Sequence, residues 1–106
     1  MFEAIRSLFK TGKQEDYALL MKGGAQIIDV RTPGEYAGGH IKGSVNIPLD
    51  TLRTSLTKIK KNKPVITCCA SGMRSLSAKS LLAANGFTEV YNGGGWTSLQ
   101  KKLKQS

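Results

Sequence analysis

Pro64-Val65-Ile66-Thr67-Cys68 is an apolar run with no polar alternation until its end. A strand of that kind must be covered on both faces, which points to a central position in a sheet flanked by helices. The loop Cys69-Ala70-Ser71-Gly72-Met73-Arg74 follows, rich in small side chains, and then a helix-periodic run from Ser75 to Asn85 with Leu76, Leu81 and Leu82 as its inward positions. The rest of the chain repeats this alternation. Strands are expected at Ala25–Val30, Val45–Ile47 and Phe87–Tyr91, and helices at Gln14–Lys22, Leu49–Ile59 and Trp96–Lys104. Tyr17, Leu20 and Met21 face inward from the first of these helices. Thr32 caps a brief helix that opens at Pro33 and carries Glu35 and Tyr36. Phe2, Ile5, Leu8 and Phe9 share one face of a short amphipathic helix over about residues 2–10, packed on the body of the domain. Asn92-Gly93-Gly94-Gly95 reads as a loop with unusual backbone angles. The expected class is α/β: a small, mainly parallel β-sheet with helices on both faces. Its functional crevice lies at the carboxyl ends of the strands, where Cys69 and Asp29–Arg31 fall.

At 106 residues the chain is expected to form one domain, over residues 1–106. No apolar run reaches membrane-spanning length. The N-terminus mixes charge with apolar residues and lacks the pattern of a secretory signal, so a cytoplasmic location is expected. The only two cysteines are adjacent, which rules out a disulfide framework. With a single histidine they are also too few for a structural zinc site, so no metal or other cofactor is expected. What remains is a reactive thiol in a reducing compartment. The net charge of +9 makes the surface basic and attractive to anions. No aromatic residues interleave with the lysines, so nothing points to nucleic acid.

A cysteine at a strand-to-helix turn faces successive backbone N–H groups and the positive end of a helix. Those donors stabilise the thiolate over the thiol. Cys69 is therefore the expected nucleophile. Cys68, one residue earlier in the strand, points to the opposite face and belongs to the core.

The motifs resemble those of the single-domain rhodaneses, or rhodanese-like sulfurtransferases. Asp29-Val30-Arg31 with Glu35-Tyr36 looks like the family's first signature, and Gly39-His40-Ile41 through Gly43-Ser44 to Asn46-Ile47-Pro48 like its second. Cys69-Ala70-Ser71-Gly72-Met73-Arg74-Ser75 looks like its active-site loop, and Val90-Tyr91 with Gly93-Gly94 and Trp96 like its C-terminal signature. Trp96 follows the glycines more closely than is common there. The matches come in the family's order from about residue 15 to the last helix. They imply the rhodanese-like three-layer fold and a sulfur-transfer cycle. Cys69 would take the outer sulfur of thiosulfate or another anionic donor, carry it as a persulfide, and pass it to a thiol, to cyanide, or to an acceptor protein.

On that resemblance the backbone N–H groups of residues 70 to 74 cradle the persulfide, and Gly72 lets the loop curl. Arg74 holds a doubly charged oxyanion or braces the loop through its carbonyls. Ser75 caps the helix, and Ser71 donates a hydrogen bond toward the site. Ala70 leaves the mouth open and Met73 forms a soft rim. His40 and Trp96 are read as structural, and Arg31 as the partner of a carboxylate that ties the turn after the first strand.

Two other classes are open to such a chain. A cysteine-dependent phosphatase needs a longer spacing, which Cys68 and Arg74 meet with five residues between them, whereas Cys69 and Arg74 have four. No histidine stands directly before Cys68, where the chain has Thr67, and Cys68 continues the apolar strand. A non-catalytic rhodanese-like binding module typically lacks the cysteine, which is present here.

Overall fold

A computed structural model of the chain describes residues 15–104. The expected helix over residues 2–10 lies outside them, as does Gln14. In chain order the elements are α1 (Tyr17–Lys22), β1 (Gln26–Asp29), α2 (Pro33–Ala37), β2 (Val45–Asn46) and α3 (Leu49–Leu52). A 3-10 turn (Leu56–Lys58), β3 (Val65–Cys69), α4 (Met73–Ala84), β4 (Val90–Gly95) and α5 (Trp96–Lys104) follow. The four strands form one parallel sheet in the order β2-β1-β3-β4.

The apolar run does sit centrally. Every residue of β3 is buried. Because successive strand residues point to opposite faces, β3 feeds two separate cores. Val65 and Cys69 join Ile28, Val30, Leu52, Ala78 and Leu82 on the face covered by α3 and α4. Ile66 and Cys68 join Tyr17, Ile27, Ile41 and Leu99 on the face covered by α1 and α5. Helices therefore cover both faces, as the alternation requires.

Several boundaries differ from the sequence reading, each for a local reason. The strand β3 runs one residue further, to Cys69, because Cys69 pairs with Gly95 of β4. The helix α4 begins at Met73, two residues earlier, because Gly72 adopts φ +105 and serves as its N-cap. A left-handed backbone of that kind favours glycine. Ser75, Ala78 and Leu82 share the inward face, while Leu76 is half exposed. Met21 likewise turns toward solvent, leaving Tyr17 as the buried residue of α1. The stretch Leu49–Ile59 is not one helix. Thr51 and Thr54 turn their hydroxyls onto the carbonyls of Pro48 and Thr51, a local competition that breaks the helix, yet Leu52 and Ile59 still reach the core.

The last strand is also displaced. Phe87 belongs to the close of α4, where its N–H donates to the Leu82 carbonyl. The glycines assigned to a loop form the end of β4 instead. Gly94 alone among them takes a left-handed φ, +78, at a shift in the β3–β4 register between Thr67 and Cys69. The absence of side chains is what permits the approach. A Cβ at Gly93 would lie 2.8 Å from the Thr67 carbonyl oxygen and 2.9 Å from side-chain atoms of Ile66 and Leu99. Gly93→Ala is expected to lower stability by about 2 kcal/mol, measured as a lower urea midpoint with unchanged slope.

Candidate active site

Cys69 ends a central strand at the carboxyl edge of the sheet, directly before the turn into α4. The Gly72 N–H donates to its Sγ at 3.0 Å and the Ser75 N–H at 3.3 Å. Gly72 makes this possible, since its left-handed backbone folds the loop back over the sulfur. Burial pushes the Cys69 thiol up, but hydrogen bonds from Ser75 and from the backbone of Gly72 and Ser71 outweigh it and leave the pKa below the ordinary thiol value. The sulfur is nearly covered, with the residue 1% exposed, while Met73 beside it is 74% exposed.

Cys68 is the opposite case. It is fully buried on the α1 and α5 face, and burial, with the Asp29 charge adding, pushes its thiol up to about 12. It is a core residue and a poor nucleophile. A sign follows for the pair. A lowered pKa keeps Cys69 partly ionised as pH falls below the ordinary thiol range. Alkylation of Cys69 by iodoacetamide is expected to show a midpoint below the roughly 8.5 of a free cysteine, followed by peptide mass.

The expected contributions of the loop residues are partly redistributed. Ser75 does not cap the helix; it is the third residue of α4, buried. Its hydroxyl lies 3.0 Å from the Gly72 carbonyl oxygen and 2.6 Å from Asn92 Oδ1, and it can donate to either. Asn92 Oδ1 also accepts from the Gly94 N–H at 2.9 Å. Behind the loop, Thr67 Oγ1 donates to the Ser75 carbonyl at 2.8 Å. Asn92 and Thr67 thus fasten β4 and β3 to the first turn of α4. Sequence reasoning missed both, since Asn92 stood in an assumed loop and Thr67 in an apolar strand. The polar Thr67 at the centre of that run was the available signal. At Ser71 it is the backbone N–H that bears on the sulfur.

Arg74 does not brace the loop through its carbonyls. Its Nη1 and Nη2 donate to Glu35 Oε1 and Oε2 at 2.7 and 3.0 Å, a two-pronged ion pair that leaves about a third of each side chain exposed. Glu35 is itself oriented. It accepts from the Thr32 N–H at 3.0 Å, while the Thr32 hydroxyl accepts from the Glu35 N–H at 3.2 Å, a complete capping box on α2. The Arg74 guanidinium, together with the Thr32 donors, lowers the Glu35 carboxyl to about 2.

Asp29 and Arg31 tie the turn after β1, as the sequence reading has it. Arg31 Nε and Nη2 donate to the buried Asp29 carboxylate at 2.9 and 2.7 Å. Nη2 also donates to the Gly39 carbonyl at 2.7 Å, and the guanidinium lies 4.8 Å from the Trp96 ring centroid. His40 is structural too. Its ring stacks on Tyr36 with centroids 3.8 Å apart, and Nδ1 hydrogen-bonds the Tyr36 carbonyl oxygen at 2.8 Å.

A groove of about 460 Å³ lies along β4, lined by Tyr17, Leu76, Lys79, Tyr91 and Lys102 among others, and none of residues 69–75 lines it.

Residues 13–102 match the Rhodanese-like domain family. The chain belongs to that family. Among curated relatives of this rhodanese-like chain, Bacillus subtilis (strain 168) YqhL is 46% identical over 81 residues, covering 76% of this chain and 64% of YqhL. The chain therefore spans just under two thirds of that relative. Thiosulfate sulfurtransferase GlpE of Ectopseudomonas mendocina (strain ymp) is 36% identical over 86 residues, covering 81% and 79% of the two chains. Among solved structures, a rhodanese with anions from E. coli superposes with a TM-score of 0.67 at 36% identity, covering 71% of this chain and 91% of that one. The rhodanese fold is thus shared. No helix among the described residues is long and apolar enough to cross a membrane.

Proposed function

We propose that this rhodanese-like protein is a sulfurtransferase whose carrier is a Cys69 persulfide. The observation that carries the reading is the pair of N–H groups, from Gly72 and Ser75, aimed at Cys69 Sγ. The Cys69 thiolate attacks the outer sulfur of thiosulfate, the bond from that sulfur to the sulfonate breaks, and sulfite departs with the electron pair. The enzyme then holds Cys–S–S⁻. Cyanide or a thiolate attacks the outer sulfur, forms thiocyanate or a new persulfide, and returns the Cys69 thiolate. No net oxidation occurs, so the cycle needs no redox partner.

The donors that favour the thiolate also suit the terminal sulfur of the persulfide, because both are anions at the start of a helix. Ala70, Ser71, Gly72 and Met73 contribute backbone and shape, and Ser75 contributes its N–H. The basic surface raises the local concentration of an anionic donor, an aid that fades with salt. An acceptor protein is one candidate for the physiological thiol.

The phosphatase register, counted from Cys68, is opposed by the burial of that thiol and its pKa of about 12. Purified protein is expected to release thiocyanate from thiosulfate and cyanide and to leave aryl phosphates essentially intact. Aryl phosphate hydrolysis lost on Cys68→Ser would reverse this reading.

A further inference from the structure

We infer that Glu35 is a specificity-determining residue: by holding Arg74 in a two-pronged ion pair it keeps the loop electrically neutral at its rim, favouring singly charged persulfide donors over dianionic thiosulfate. The inference rests on the reading of Cys69 as a persulfide carrier. Arg74 is the only cationic side chain within the loop Cys69–Ser75. Both of its terminal nitrogens are committed to Glu35, at 2.7 and 3.0 Å.

The commitment is preorganised. Thr32 fixes the Glu35 carboxylate through two donors, its N–H and its hydroxyl, at 3.0 and 3.1 Å. Little side-chain freedom is left to lose when the pair forms. What remains for a donor is the set of backbone N–H groups and the positive end of α4, equivalent to roughly half a unit charge. That suits one negative charge. A second charge on the donor would approach Glu35 without a free guanidinium to meet it.

Glu35→Gln removes the charge but keeps an acceptor for Thr32, so the capping box survives. Arg74 can then turn toward the donor. The experiment follows the loading half-reaction alone, as the rate at which intact Cys69 protein gains one sulfur by mass. The two probes are thiosulfate and 2-hydroxyethyl persulfide, which carries a single charge. The expected result is a rise of about threefold or more in the thiosulfate-to-persulfide ratio of second-order rate constants.

Simple removal of a negative charge would favour the dianion by itself, so the same substitution is repeated in an Arg74→Ala background. There the rise is expected to be smaller. A ratio that rises by less than threefold, or by as much without Arg74 as with it, overturns the inference. If wild-type protein loads sulfur from both probes while the ratio stays insensitive, only this inference falls. If neither probe loads wild-type protein, the persulfide reading falls with it.

Discussion

Cys69→Ala is expected to abolish sulfur loading and to lower thiocyanate release by at least about three orders of magnitude. The whole cycle passes through one covalent bond to Sγ, and the chain has one other thiol, Cys68. Cys68 is the adjacent residue in sequence, but strand alternation sends it into the opposite core, and its thiol is held neutral by burial. Intact mass after incubation with thiosulfate gives the direct readout. Wild-type protein should gain one sulfur that a reductant removes, and Cys69→Ala should gain none. Cys68→Ala is the necessary companion. It removes a buried sulfur from the α1 and α5 face, so it should lower stability modestly while still loading sulfur. A persulfide that forms in Cys69→Ala and vanishes in Cys68→Ala would move the chemistry to the wrong side of the sheet and refute the assignment.

Arg31→Ala is expected to destabilise the fold by about 3–5 kcal/mol, since it strands the Asp29 carboxylate in a site with no solvent exposure. The loss is broader than one ion pair. Arg31 also holds the carbonyls of Glu35 and Gly39 and lies over Trp96, so its removal frees the loop between α2 and β2 and the start of α5. Domains of this size are commonly stable by only about 5–15 kcal/mol, so much of the margin goes with it. Urea unfolding followed by tryptophan fluorescence reads the change, because Trp96 is the only tryptophan. Arg74→Ala provides the contrast. Its pair with Glu35 is partly solvated, and such pairs add little to stability. A comparable loss at both positions would mean that burial does not govern the difference.

The parts of the fold that were legible in the sequence are those set by neighbours in the chain. The apolar run betrayed a central strand. Thr32 before Pro33 marked a helix start, and strand alternation separated Cys68 from Cys69. The basic helix Trp96–Lys104 was placed at its observed bounds. What escaped depends on distant partners. Glu35 and Arg74 are 39 residues apart, and nothing in either local pattern says that they meet. Asn92 and Ser75 become partners only once β4 lies beside β3. The glycine run read as a loop because glycine is poor at forming strands by itself. Here the sheet needs those positions bare, and Gly93 shows why. The onset of α4 was misplaced because a glycine cap carries no side-chain signal.

The two cysteines, one on each face of β3, also make the protein its own stability gauge. Cys68 has no route to a reagent while the central strand holds, so its modification must wait for an opening of the sheet. Its labelling rate then equals an intrinsic rate multiplied by the open fraction, and every tenfold slowing corresponds to about 1.4 kcal/mol of opening free energy. Cys69, one residue away, is nearly covered too but sits at the turn into α4, so its rate follows movement of that turn and the ionisation of the thiol. The ratio of the two rates, read from a single peptide, separates a substitution that changes thiol chemistry from one that loosens the fold.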